Sequence, residues 1–208
     1  MRFALPPLAA ILSLPGLVAA SPHSAARSVT LRKAAQQPAP DLSSKDPQPN
    51  PDDVKSIDSI LAALYNVISG PAGDRDWNRF RSLFVPEARL TSAVKRPNST
   101  GPSVRLLSVD DYVKGAGGYF ARNAFFESPV VNRIERFGNI AQVFSSYESR
   151  HALAEKPFTR GINSFQLFYD GSRWWVLSIL WDEESPDNPL PKEFSSRVAN
   201  TPKIDVGF

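Results

Sequence analysis

From Phe125 to Asp182 the chain reads as four strand-like runs with short turn signals between them, and this meander limits the fold more than any other feature. The runs are Phe125 to Phe137, Ile140 to His151, Arg160 to Tyr169 and Arg173 to Asp182. Gly138-Asn139 and Asp170-Gly171 are hairpin signals, and a loop containing Pro157 joins the middle pair. Pro129 has no N–H to give a ladder, so the first run is an edge strand or carries a bulge. Four consecutive antiparallel strands need something to cover at least one face.

The residues before the meander supply it. Asn50-Pro51-Asp52-Asp53 is a helix start, with Asn as cap, proline in the first turn and acids at the positive end of the dipole. Val54, Ile57, Leu61, Leu64 and Ile68 recur at helical spacing, and Ser69-Gly70-Pro71 marks the stop. A second helix is expected from Asp76 to Phe84, ended by Pro86, then a short strand from Ala88 to Val94. Arg96 to Pro102 reads as a loop and holds the sequon Asn98-Ser99-Thr100. Ser108-Val109-Asp110-Asp111 has capping-box spacing and opens a third helix, whose Gly115-Ala116-Gly117-Gly118 segment is poor helix material. Three helices followed by an antiparallel meander give an α+β fold, with the helices on one face of a curved sheet.

The 208 residues suffice for one such domain. Residues 1–20 read as a signal peptide: Arg2, an apolar run, then Val18-Ala19-Ala20 before Ser21. Its apolar run is shorter than a bilayer span, so no stable membrane anchor is expected after cleavage, and the protein is expected to be exported, periplasmic or secreted. Residues 21–50 are a polar, proline-rich linker, residues 51–184 the folded domain, and residues 185–208 an extended tail. The absence of cysteine excludes disulfides, thiol catalysis and thiolate metal sites. The formal charge of +3 sits in the leader and linker, where Arg2, Arg27, Arg32, Lys33 and Lys45 face only Asp41 and Asp46. The domain itself is formally neutral, without the Lys/Arg clustering of a nucleic-acid surface.

If Asp170-Gly171 is a two-residue turn, Leu167 pairs with Trp174, Phe165 with Val176 and Asn163 with Ser178. One face then carries Asn163, Phe165, Leu167, Trp174, Val176, Ser178, Leu180 and Asp182. The other carries Ile162, Ser164, Gln166, Trp175, Leu177, Ile179 and Trp181. Both faces of the last strand are apolar, which points to a covered second face and to a homodimer formed through it.

The ending Asp170-Gly171, Trp174, Val176, Ser178, Trp181-Asp182 resembles the nuclear transport factor 2-like superfamily, which includes the SnoaL-like and ketosteroid isomerase-like proteins. "ESRHA" at 148–152 followed by "RGINSFQLFYDGSRWW" at 160–175 is similar to a group of exported bacterial members with no assigned activity. The resemblance implies a cone: a sheet wrapped around helices, with an apolar pocket at one end, often in a homodimer. In ketosteroid isomerase-like members a helix tyrosine works with a carboxylate on the strand after the second helix. Here Tyr65 matches the tyrosine, while Ala88 to Ala93 contains no acid.

The pocket candidates are Tyr65, Trp77, Asn163, Ser178 and Asp182, with Arg150 and Arg160 at the mouth, where they could attract an anion. Each has a plainer role available. Tyr65 and Trp77 serve as core aromatics, Asn163 and Ser178 satisfy each other, Asp182 lies in water, and Glu148 pairs with the two arginines. A buried Asp182 would be a general acid or base; His151, the one histidine outside the linker, is a second candidate. A metal site built on several histidines is excluded, and no cofactor motif occurs. The sequence leads to a small organic ligand bound without turnover. The alternatives are a cofactor-free lyase, isomerase or hydrolase using Asp182 or His151, and an assembly module whose cone is filled by its own aromatics.

Overall fold

The computed structural model describes Leu42, residues 47–93, Gly101 and residues 103–195; the expected signal peptide, most of the linker, the sequon and the end of the tail lie outside them. The first expected helix is two. Asn50 caps α1 (Pro51–Val54) and Ser56 caps α2 (Ile57–Ile68). Ser56 Oγ accepts the Ser59 N–H at 3.0 Å and holds its own backbone extended, so the chain restarts a helix instead of continuing one. Gly70 does not cap α2; it pairs with Phe125 in an isolated bridge.

Asp76 caps α3 (Trp77–Ser82), and Arg79 on this helix grips Asp53 of α1 through two hydrogen bonds of 2.7 and 2.9 Å. Phe84, expected as the end of the helix, instead begins β1 (Phe84–Ser92), fully buried against Phe80 at 4.8 Å between ring centres. Pro86 stands in the strand, not at a helix end. The ladder breaks between Phe84 and Arg89, where its missing N–H costs nothing. A short β2 (Arg105–Leu107) is an addition to the expected elements. The capping box forms as the Ser108 spacing predicts, and α4 (Val109–Phe120) runs unbroken through its glycines.

The meander is as expected: β3 (Phe126–Phe137), β4 (Ile140–Arg150), β5 (Thr159–Tyr169) and β6 (Trp174–Glu183). The sheet order is β2-β1-β6-β5-β4-β3, with only the β1–β6 pair parallel. Pro129 lies on edge strand β3 at a register shift. The helices lie against the inner face, where Val143, Leu167, Val176, Phe84 and α2 residues Ile60 and Leu61 are essentially inaccessible.

The β5–β6 hairpin departs from the expected register in two ways. Asp170 Oδ1 accepts the Ser172 and Arg173 N–H groups at 2.7 and 2.9 Å, and Oδ2 accepts Trp175 Nε1 at 2.6 Å. The connection therefore has four residues, with Tyr169 opposite Trp174. Then a bulge leaves Leu177 unmatched, since Leu167 faces Val176 while Gln166 faces Ser178. One extra residue reverses every side chain beyond it. Trp174 and Val176 point inward as expected, but past the bulge the inward set is Ile179, Trp181 and Glu183, and Ser178, Leu180 and Asp182 turn outward.

The tail is not simply extended. Ser185 and Asn188 form a bridge, and α5 (Lys192–Ser195) lies on the outer face with Phe194 buried against Phe144. The sequence called for a second copy over this face. Part of it is taken by residues 185–195 of the same chain, while Leu177 and Leu180 stay 39% and 45% exposed.

Candidate functional site

At the end of the inner face where β5 and β6 pass the bulge, the helices and the sheet separate around a cavity of about 270 Å³. Leu64, Tyr65 and Ile68 of α2, Phe80 of α3 and Tyr112 of α4 form one wall. Tyr147, Ser149, Asn163, Phe165, Ile179, Trp181 and Glu183 of the sheet form the other, with Glu127 of β3 at the side. Tyr119, Phe125 and Phe158 stand toward solvent, Tyr119 and Phe158 being 39% and 49% exposed. The cone is not filled by its own aromatics.

The polar groups are ordered by a directional chain. Asn163 Nδ2 donates to Tyr65 Oη at 3.2 Å, Tyr65 Oη lies 2.6 Å from Ser145 Oγ, and Ser145 Oγ donates to Asn132 Oδ1 at 2.6 Å. Because the single Ser145 proton is committed to Asn132, the Tyr65 proton points at Ser145. Burial, then the nearby Glu127, pushes the Tyr65 pKa well above the phenol range, so it stays a neutral donor.

Glu127 is the central group. Its backbone N–H is held by Ser69 Oγ at the end of α2 at 2.9 Å, and its Oε2 accepts from Ser149 Oγ at 2.9 Å. Burial among the aromatic walls pushes its pKa up from 4.5 to about 7, against the lowering effect of Ser149 and Asn163, with Glu183 adding a smaller push upward. Burial, then Asp182, also raises Glu183. A carboxyl that titrates near 7 can hold or release a proton at neutral pH, the property needed for proton transfer.

Tyr65 and Asn163 are the two sequence candidates that line the cavity. Trp77 lies behind the wall, stacked on Phe120 at 6.0 Å. Ser178 and Asp182 are turned away by the bulge, and Asp182 accepts from the Glu183 N–H and Asn188 on the outer side. His151 stacks on Phe158 at 4.2 Å outside the cavity, with Nδ1 3.1 Å from the Ala124 carbonyl. Arg150 and Arg160 do not guard the mouth. Both pair with Glu148, and Arg160 also reaches Glu184 at 3.4 Å and the Ser195 carbonyl at 3.1 Å. Sequence reasoning missed Glu127 and Glu183. Glu127 had one available signal, its period-two relation to Phe125; Glu183 shares the period of Ile179 and Trp181, but a run of three acids at a strand end reads as solvated.

No family model matches the chain, and no curated protein does. Solved structures similar to it include a cystatin-like-fold protein of unknown function from Nostoc punctiforme (12% identity over 65% of this chain and 92% of that one, TM-score 0.48). Others are a nuclear transport factor 2-like protein of unknown function from Silicibacter pomeroyi (12%, 62% and 94%, 0.45) and one from Pseudomonas putida (11%, 70% and 94%, 0.48). The last two carry the name of the superfamily that the sequence resembles.

Proposed function

We propose that the chain is an exported protein that binds a small, largely apolar molecule carrying one hydrogen-bonding end. The observation that supports this most is the cavity itself: about 270 Å³ of aromatic and aliphatic wall in which the polar groups converge at Glu127, Asn163 and Tyr147. Export rests on residues 1–20, and a mature amino terminus other than one near Ser21 would remove it. A second reading, proton-transfer catalysis, is favoured by the Glu127 carboxyl titrating near 7.

A thermal-shift screen of small apolar compounds tests the binding reading. Hits should raise the melting temperature of the native chain and lose that effect in Ile179→Phe, which fills the cavity from its own wall at an overpacking cost of about 1–3 kcal/mol. Hits that act equally on Ile179→Phe, with that variant still melting cooperatively, would place binding elsewhere.

A further inference from the structure

The cavity has an unusual charge balance. Two carboxyl groups, Glu127 and Glu183, enter it from different strands, and among the described residues no Lys, Arg or His lines it. The nearby arginines are occupied with Glu148 and Glu184. Tyr147, only 4% exposed, also lines the cavity, and its Oη has no hydrogen-bond partner among the described residues. A hydroxyl that meets the cavity on an otherwise buried tyrosine, with no hydrogen bond to a described residue, is a place for a ligand's polar atom. The rest of the lining includes the rings of Tyr65, Tyr112, Phe165 and Trp181 beside aliphatic Leu64, Ile68 and Ile179. Rings of this kind attract organic cations through their negative faces.

We propose that the ligand's polar end is a cation, an organic amine or ammonium held between Glu127, Glu183 and Tyr147 within the aromatic walls. This rests on the binding reading above and adds the charge class to it. An anion would meet two carboxyls and no counter-charge. An inorganic divalent ion would lack ligands, since among the described residues no group of three His, Cys, Asp or Glu forms. An alkylammonium satisfies both requirements: its N–H groups donate to the carboxyls and the tyrosine oxygen, and its apolar part fills the cavity. Its charge also favours the ionised form of Glu127, so capture of the cation releases a proton from that group where it was still held. The groups that share this environment are Glu183 on β6, Tyr147 on β4, Tyr65 on α2 and Tyr112 on α4, the three tyrosines all being pushed upward and neutral.

Three compounds of nearly the same shape test the charge directly: phenethylamine, 2-phenylethanol and phenylacetate, titrated calorimetrically into the full folded chain at pH 8 and pH 5. The amine should bind about tenfold more tightly than the alcohol at pH 8, the acetate most weakly. The amine's advantage should shrink at pH 5, where Glu127 is protonated. Glu127→Gln and Glu183→Gln should each weaken the amine more than the alcohol and so bring the two closer together. Equal binding of amine and alcohol, or tighter binding of the acetate, overturns the cation assignment and leaves the cavity reading standing. No binding of any of the three overturns both.

Discussion

Glu127→Gln should melt at a higher temperature than the native chain at pH 8 and at nearly the same temperature at pH 4.5. The carboxyl has its ordinary value of 4.5 in the unfolded chain and about 7 in the folded one. Between those values the folded state keeps a proton that the unfolded state has lost, so stability is greatest below about pH 4.5, declines as pH rises and levels off above about 7. The difference is at most about 3 kcal/mol, from 1.36 kcal/mol per unit of pKa, and the cavity's openness to solvent lowers it. Glutamine keeps the shape and the acceptor for Ser149 Oγ without the charge. Asp170 acts at the other end of the scale. Although its desolvation pushes upward, the Trp175 indole and the Ser172 and Arg173 amides hold it near 2, so its contribution is present above about pH 4 and is lost as pH falls through 2. Melting curves between pH 3 and 9 separate the two. If the native chain and Glu127→Gln show parallel curves between pH 5 and 8, Glu127 does not carry a raised pKa. Should a substrate be found, the same titration belongs in its pH–rate profile, and Glu127→Gln should cost about 10² to 10⁴ in rate.

The parts of this molecule that could be read in advance are those set by neighbours in sequence. Asn50 and Ser108 cap helices because their side chains reach amides two or three residues on, and Gly138-Asn139 turns where it should. The parallel pairing of β1 with β6 had no such signal, because nothing local to Phe84–Ser92 says which strand lies beside it. The same holds within the site. Tyr65 is legible through the resemblance to a helix tyrosine, and Asn163 through the period of two on β5, which carries no bulge between Asn163 and Leu167. Ser178 and Asp182 were placed inward on a pattern that the bulge at Leu177 reverses, and that bulge simultaneously brings Glu183 in. An acidic cluster at a strand end reads as solvated on composition; only the register tells Glu183 from Asp182. Glu127 was hidden for a related reason, since Pro129 and the register shift after it obscure the alternation of β3 on which its inward position depends.

Gly161→Ala should abolish or severely weaken folding, although the substitution adds one methyl group in a strand interior. Gly161 lies opposite Tyr147 on β4 and Glu183 on β6. A Cβ built there would run into the Asp182 backbone oxygen and meet Tyr147 Oη at 2.7 Å and Tyr147 Cε1 at 2.9 Å. The tyrosine ring can swing by a few tenths of an ångström, but the Asp182 carbonyl belongs to the β6 backbone beside the 2.8 Å hydrogen bond from Glu184 N to the Arg160 carbonyl. Relieving that contact means opening the β5–β6 ladder at the strand end that supplies Asn163, Trp181 and Glu183 to the cavity. Overpacking typically costs about 1–3 kcal/mol where side chains can yield, and a backbone clash belongs above that range, at about 4 kcal/mol or more. The tyrosine and the carbonyl can be told apart. Tyr147→Phe alone should be mild, and adding it to Gly161→Ala should recover little, because the carbonyl contact remains. Denaturant unfolding of the three variants decides the matter: Gly161→Ala with a midpoint close to that of the native chain would mean that β5 and β6 are not packed this closely, and recovery by Tyr147→Phe would mean that the ring, not the backbone, excludes the side chain.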